Sequence, residues 1–528
     1  HNHPSTNSNI GSCSAIDSIE SVRLLLQDLR EAGYVIDHIP ADRQEFIDEL
    51  IAGATNDRDY MSEKQIDNAD AKLLVSAYRD YYKTLPEKVQ QRLAKDWGEA
   101  PGDVFLYDDF LLIPGMMNGN IFITMQPPRG FGEDPDKIYH SPDCAPTHHY
   151  LGFYHWLRDI WGADAMMHIG THGSLEWLPG KGVAMGDECY PDICTGDLPN
   201  VYPYWVVDTG EGIQAKRRSA ACLISYLSAP LSISGVYDEL AELEKALEPM
   251  AQIREKAAAA DLTDEVREED AADFDDYVGH LHTYLTDLKN MQMTTGLHIM
   301  GNPPQGEKLT EYLYALVRLE NPDMPSLPKT LAQAYGYDYY ELIDNSSKLL
   351  PDGILSYGML LDKINGQCLE IIRLLQNDAF VVHEDKLRAL ECVKCWDEAV
   401  QQKIIKIAGF ICDKLYPSLA HTTWERSNCI RALQSEYIEP SAGGAPTSGG
   451  AEILPTGRNF YGVDPQLLPT PVAWKIGSQM AEDVINKFVA EEGRYPESVG
   501  ILLWATYNMR SNGQCMAEFM RLMGVRPV

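Results

Sequence analysis

The stretch that most limits how this chain can fold is ADAMMHIGTHGSLEWLPGK, residues 163–181, where an apolar run stops at a glycine. Residues 163–169 read as a buried strand, and the glycine after them marks its end at a functional loop, where open α/β sheets place their ligands. No long helix can pass through the loop, because Gly170, Gly173, Pro179 and Gly180 forbid one and let backbone approach a ligand closely. The fourteen residues from His168 to Lys181 bring together two imidazoles, a carboxylate and an ammonium: His168, His172, Glu176 and Lys181. Imidazole and carboxylate suit a borderline divalent metal, and either accepts a proton near neutral pH. The two histidines lie four apart, yet the glycines keep them off a common helix face, so the pattern is not that of a zinc protease. On composition alone a structurally satisfied loop remains the competing explanation.

Elsewhere the chain alternates helix and strand patterns at both ends. Residues 18–32 carry Ile19, Val22, Leu25, Leu26 and Leu29 at helical spacing, then Gly33 and a strand-like 34–36. A short strand is predicted at 120–125, loop at 127–136 (PPRGFGEDPD) and a helix at 147–161. Long helices are predicted at 237–260, 265–291, 355–375 and 383–415, a flexible loop or linker at 441–450 (SAGGAPTSGG), a strand at 499–505 and a helix at 513–523. The expected fold is α/β and multi-domain, with parallel-sheet α/β layers and a large helical insertion. Its expected parts are an α/β domain at 1–125, truncated at its N-terminal side, a core at 126–235 bearing the loop, a helical domain at 236–440, and an α/β domain at 441–528, truncated at its C-terminal side. A start at His1-Asn2-His3-Pro4, without methionine or signal-peptide pattern, reads as a cut inside a longer protein.

The formal net charge of −34 repels phosphate backbones and concentrates cations, which argues against nucleic acid as a partner. No apolar run approaches the roughly 20 residues of a membrane span. Eleven cysteines, thinly spread and odd in number, fit a reducing compartment, so a cytoplasmic location is predicted. CVKC (392–395) lies in a helical run with no second pair and reads as structural, and EVREEDAADFDDY (265–277) reads as a solvated helix face. Neither a G-x-x-x-x-G-K-[ST] loop nor a G-x-G-x-x-G fingerprint is present, so any ATP must be bound by another polypeptide.

Three further sets are candidates. His148 and His149 open a helix, where one of an adjacent pair should be buried and the other face away. Lys216, Arg217 and Arg218 form a basic cluster, either a solvated face or forked donors for carboxylates. Arg458 and Asn459 sit in a glycine-bounded turn of LPTGRNFYGVDP (454–465), functional or merely structural.

Read in order, NIGSCSAIDSIESVRLLLQDLREAGY (9–34), ADAMMHIGTHGSLEWLPGK, CYPDICTGDLPNVYPY (189–204), EGIQAKRRSAACLISYLSAPL (211–231), GLHIMGNPP (296–304), LPTGRNFYGVDP and LLWATYNMRSNGQCMAEFMRLMGVRP (502–527) resemble the large subunits of class I chelatases. That family comprises the cobaltochelatase large subunit and the magnesium chelatase H subunit. The resemblance implies the tetrapyrrole-binding catalytic subunit of an ATP-dependent metal chelatase, with the divalent metal as a substrate. Trp177 and TGRNFYGVDP look cobalt-like, implying insertion of Co2+ into a corrin precursor of the hydrogenobyrinic acid a,c-diamide type for cobalamin biosynthesis. THGS looks closer to the magnesium branch, whose reaction inserts Mg2+ into protoporphyrin IX. Two AAA+-type partner subunits would carry ATP and its Mg2+. The resemblance to the magnesium branch also implies an essential glutamate in this shared region, for which Glu176 is the matching position. Glu176 would then accept a pyrrole proton or hand over the metal, with His168 and His172 as transient ligands or relay bases. Lys181, Arg217, Arg218 and Arg458 would pair with groups on the ring's rim, and Trp177, Tyr202 and Tyr204 would flank its face. His148, His149 and Asn459 complete the expected substrate-binding set. Rival readings are a non-catalytic tetrapyrrole-binding scaffold or sensor, and a metallohydrolase whose histidines activate water on tightly held zinc.

Overall fold

Asp17 starts the first helix by accepting the Glu20 N–H, and α1 (Ser18–Glu31) buries Ile19, Leu25, Leu26 and Leu29, the predicted apolar stripe. α2 (Arg43–Ala52) is capped by Asp42 and packs on α1. The computed structural model describes residues 6–13, 15–130, 138, 141–228, 231–233, 292–294, 296–346, 348–351, 355–462 and 468–527. The predicted helices at 237–260 and 265–291, and the acidic stretch at 265–277, lie outside the described residues.

The strands are short. β1 (Ala71–Leu74), β2 (Leu106–Tyr107) and β3 (Phe110–Ile113) form an antiparallel sheet in the order β1-β3-β2, followed by the hairpin of β4 (Met116–Asn118) and β5 (Ile121–Ile123). β6 (Met166–Met167), β7 (Asn200–Trp205) and β8 (Cys222–Tyr226) then make a parallel sheet in that order. Asn200 to Tyr204 of β7 are all buried, as the middle strand of a covered parallel sheet should be. The helix Thr209–Arg218 carries the chain from β7 to β8. β9 (Leu231–Ile233) pairs antiparallel with β10 (Gln292–Thr294), and β11 (Pro440–Ala442) pairs parallel with β12 (Asn459–Tyr461), which lies against β8.

Helices Glu307–Val317, Leu327–Ala334, Tyr357–Asn377 and Glu398–Phe410 surround a separate core of leucine and isoleucine, including Leu313, Leu331, Ile364 and Ile407. The whole is an α/β multi-domain fold with a large helical block. Among the described residues, no helix is long and apolar enough to cross a membrane.

Several local expectations are corrected. Residues 34–36 are not a strand: Val35 exchanges hydrogen bonds with Asn120 through that residue's N–H and side chain, but among the described residues no second strand aligns with it. Residues 499–504 are irregular, with Leu502 and Trp504 exposed, and a helix begins at Ala505. The 441–450 stretch is no flexible linker. It holds part of β11, and a Cβ on Gly443 would meet Thr209 Cγ2 at 2.4 Å, so glycine is what lets this backbone press against the helix after β7. The run 383–415 divides into Glu384–Ala389, Glu391–Lys394, Glu398–Phe410 and a wider turn at Ile411–Leu415, with Asp397 capping the third. No disulfide joins any of the eleven cysteines, and of the CVKC pair Cys392 is buried and Cys395 exposed.

Candidate functional site

β6 delivers His168 to the end of the parallel sheet, where its backbone N–H still donates to the Val201 carbonyl of β7 at 3.1 Å. Its ring spans two polar groups: Nδ1 lies 2.9 Å from Asn200 Oδ1, and Nε2 lies 3.3 Å from the Tyr154 hydroxyl. The packed surroundings push its pKa down to about 4, so the ring is neutral at pH 7. Tyr154 projects from the helix His148–His155 and accepts from Gln126 Nε2 at 2.7 Å. Gln126 Oε1 accepts from the Ser174 N–H at 2.8 Å and from its hydroxyl at 3.1 Å, which ties the start of the next turn to the same network.

That turn, Leu175–Trp177, is a single 3-10 turn with Leu175 and Leu178 buried in the core, so Glu176 is carried inward while Trp177 stays 39% exposed. Only 1% of Glu176 is exposed. Oε1 accepts from the Gly173 N–H and the Tyr202 hydroxyl, each at 3.3 Å, while Oε2 is buried with no hydrogen-bond partner. Burial raises the Glu176 pKa, and His172 is near enough to oppose that rise. His172 is half-exposed, with Nδ1 3.2 Å from the Gly173 carbonyl and Nε2 3.9 Å from Oε2 of Glu211, an oxygen also buried without a hydrogen-bond partner. Glu211 stands in the first turn of Thr209–Arg218. Thus His172 and Glu211 lie in segments that leave neighbouring parallel strands at the same end, the place where α/β sheets bind ligands.

A cavity of about 720 Å³ opens beside His168, within the range of small-molecule sites. Leu25 and Leu29 of α1, Met125, Met166 and Tyr154 contribute to its mainly apolar wall, with Asn120, Gln126, Asp164 and His168 among its polar points. His172 and Glu176 are not on that wall. The structure therefore does not bring the predicted metal trio within ligation distance as one set; Tyr202 links two of its members, its ring centroid 5.1 Å from that of His168 and its hydroxyl on Glu176. Among the described residues, the only three groups whose ligand atoms lie within 4.8 Å of one another are His38, Glu45 and Glu49.

The remaining candidates are scattered around this centre. His148 and His149 are both buried, correcting the expectation that one would face solvent, because their helix is packed on both sides. His148 bonds the Tyr78 hydroxyl at 2.8 Å and the Gly98 carbonyl at 3.0 Å; His149 donates from Nε2 to the Leu112 carbonyl at 2.8 Å. Neither lines the cavity. Arg218 is buried and donates to the Leu178 carbonyl at 2.6 Å, bracing the turn that holds Glu176, whereas Arg217 and Lys181 are exposed. Arg458 donates to the Pro455 and Ile453 carbonyls, each at 3.2 Å, and Asn459 opens β12. Tyr202 and Tyr204 are buried in the sheet core, so no open face of either is free to flank a planar ligand in this state.

Sequence reasoning missed Gln126, Tyr154, Asn200, Glu211 and the pair His298–Glu425. Glu425 is wholly buried and accepts four hydrogen bonds, from His298 Nε2 (2.7 Å), the Gly301 N–H (2.8 Å), the Leu227 N–H (2.8 Å) and the Thr456 hydroxyl (2.7 Å). The segments GLHIMGNPP and LPTGRNFYGVDP thus converge on one carboxylate. The signal for it was their shared resemblance, not any spacing between them.

The family model described as CobN/Magnesium Chelatase matches residues 1–528. The chain belongs to the CobN/magnesium chelatase family. Within that family it is 41% identical to an uncharacterized protein of Methanocaldococcus jannaschii and 33% identical to the aerobic cobaltochelatase subunit CobN of Pseudomonas aeruginosa, in each case over 100% of this chain and 43% of the relative. Its fold matches the structure titled catalytic subunit of cobaltochelatase from Mycobacterium tuberculosis with a TM-score of 0.80 and 33% identity, covering 98% of this chain and 44% of that one. The chain therefore spans less than half the length of the CobN/magnesium chelatase relatives it matches.

Proposed function

We propose that this chain is the tetrapyrrole-binding catalytic portion of a cytoplasmic metal chelatase that inserts Co2+ into a corrin precursor of the hydrogenobyrinic acid a,c-diamide type. The observation that carries the reading is Glu176: a sealed carboxylate with one unpartnered oxygen, set beside His172 and one tyrosine away from a neutral His168 on the cavity wall. Support for cobalt comes from the two cobaltochelatase relatives at 33% identity.

Insertion requires that the ion shed water, that two pyrrole N–H protons leave, and that the macrocycle deform. His168 offers a nitrogen ligand to the ion at the cavity. Glu176, whose pKa burial raises, lies off the cavity wall and would take up a pyrrole proton relayed past His168 and Tyr202, and His172 with Glu211 offers that proton a route toward solvent. The incomplete ligand set suits an ion that must be released, since a closed four-ligand cage would retain it. Lys181, Arg217 and Trp177 are exposed off the cavity wall, free to meet groups at the macrocycle's rim, whereas His148, His149, Arg218 and Arg458 serve by holding backbone in place. ATP and its Mg2+ belong to two AAA+-type partner subunits.

The test replaces Glu176 with glutamine in the full-length protein, measuring tetrapyrrole affinity and turnover with both partners. Near-normal binding with turnover lost supports the role; unchanged turnover removes Glu176 from the mechanism. The family also contains magnesium chelatases, and THGS favours that branch, so Mg2+ insertion into protoporphyrin IX is the second reading. Quenching of tryptophan fluorescence by protoporphyrin but not by a hydrogenobyrinic-type corrin would select it. Tetrapyrrole binding without insertion, with both partners present, would instead indicate a scaffold.

A further inference from the structure

We infer that Asn200 sets the position of the single proton on His168, so that Nε2, on the side of Tyr154, which lines the cavity with His168, is a bare lone pair ready for a divalent cation; this deepens the proposed role of His168 and rests on it. Ser219 fixes the Asn200 amide. The Ser219 backbone carbonyl, which only accepts, lies 3.1 Å from Asn200 Nδ2. The Ser219 hydroxyl donates to the Ala215 carbonyl at 2.8 Å, leaving its oxygen to accept from the same Nδ2 at 3.2 Å. Both neighbours take hydrogens, so the NH2 group faces Ser219 and Oδ1 faces His168. An amide oxygen only accepts, and therefore His168 Nδ1, 2.9 Å away, carries the hydrogen. A neutral imidazole has one N–H, which leaves Nε2 without one.

The opposite side of the ring agrees. Gln126 Oε1 is committed to the Ser174 N–H, so Gln126 Nε2 donates to the Tyr154 oxygen at 2.7 Å and the tyrosine's own hydrogen is left for His168 Nε2. That contact, at 3.3 Å, is long for an O–H donor and easily displaced by an ion that binds imidazole at about 2.0–2.1 Å. Asn200 itself is buried and is absent from the cavity wall, so it acts through His168 as a positioning residue. Metal-binding histidines elsewhere depend on such an acceptor for tautomer and orientation.

The experiment titrates the full-length protein with Co2+ alone and follows the ligand-field absorption of the bound ion. His168→Ala should weaken binding, Asn200→Leu should weaken it about 10–100-fold, and Asn200→Asp, which restores an acceptor, should return it to within a few-fold of wild type. If His168→Ala binds Co2+ as wild type does, the ligand role of His168 falls. If His168→Ala weakens binding but Asn200→Leu does not, the role of Asn200 alone falls, and it falls also if Asn200→Asp fails to rescue. Should Asn200→Leu not fold, solid-state 15N spectra of histidine-labelled protein, assigned by difference from His168→Ala, decide the matter. A protonated Nδ1 with an unprotonated Nε2 is expected, and the reverse pattern overturns the inference.

Discussion

Glu176 is held where a charge is poorly solvated, and that has a consequence for stability as well as for chemistry. Its folded pKa is raised, so the folded protein keeps the proton to higher pH than the unfolded chain, and stability is lost as pH rises past the ordinary carboxyl range. Glu176→Gln is therefore expected to raise the thermal midpoint, and to do so more at pH 8 than at pH 4.5; an equal shift at both would reject the assignment. His149 has the opposite sign. Burial pushes its folded pKa down to about 4, so the unfolded chain takes up the proton first and stability falls as pH drops from 6.5 toward 4. Between pH 7 and pH 5 that loss is about 2 kcal/mol, because each tenfold rise in proton activity favours the protonated unfolded chain by roughly 1.4 kcal/mol. His149→Gln, which keeps a donor for the Leu112 carbonyl, should lose less by this amount in urea unfolding at the two pH values. The imidazoles and acid of the loop were legible in the sequence because glycines isolate them from any helix. Asn200 and Glu211 were not, since one amide and one acid among 78 Asp and Glu residues offer no contrast until the register of β7 is known.

At the scale of elements, helix Trp424–Leu433 is tied to three loops by one side chain, since Glu425 takes hydrogens from Leu227, His298, Gly301 and Thr456. Removing it leaves four buried donors unsatisfied. Glu425→Ala should cost about 3–5 kcal/mol, read as a fall in the urea midpoint; a change under about 1 kcal/mol would mean that water replaces the carboxylate. Helices were the more legible elements, because a stripe such as that of α1 is a local pattern. Strands were not: residues 34–36 and 499–505 have the composition of strands, but a strand exists only where a distant segment aligns with it, and local preference cannot supply that partner. The glycine-rich 441–450 read as loose for a related reason, since the side chains of Thr209 and Phe460 that crowd Gly443 lie elsewhere in the chain.

For the whole molecule, an excess of 34 negative charges strains the folded state through self-repulsion that salt screens. Raising NaCl from about 20 to about 200 mM is expected to raise the thermal midpoint, because the Debye length shrinks to roughly the spacing of surface charges. A midpoint that fell would show that ion pairs outweigh the repulsion. The acidic excess was plain in the composition, whereas the cavity was not, because its wall joins Leu25, Met125, Met166 and Leu433, which no local pattern connects.

β6 and β7 run side by side in one direction, so the turns leaving them stay neighbours whatever their lengths. Their separation is set by the backbone ladder, about 4.8 Å per step, like teeth on a comb. Side chains at the tips can be exchanged while the pitch of the teeth stays the same.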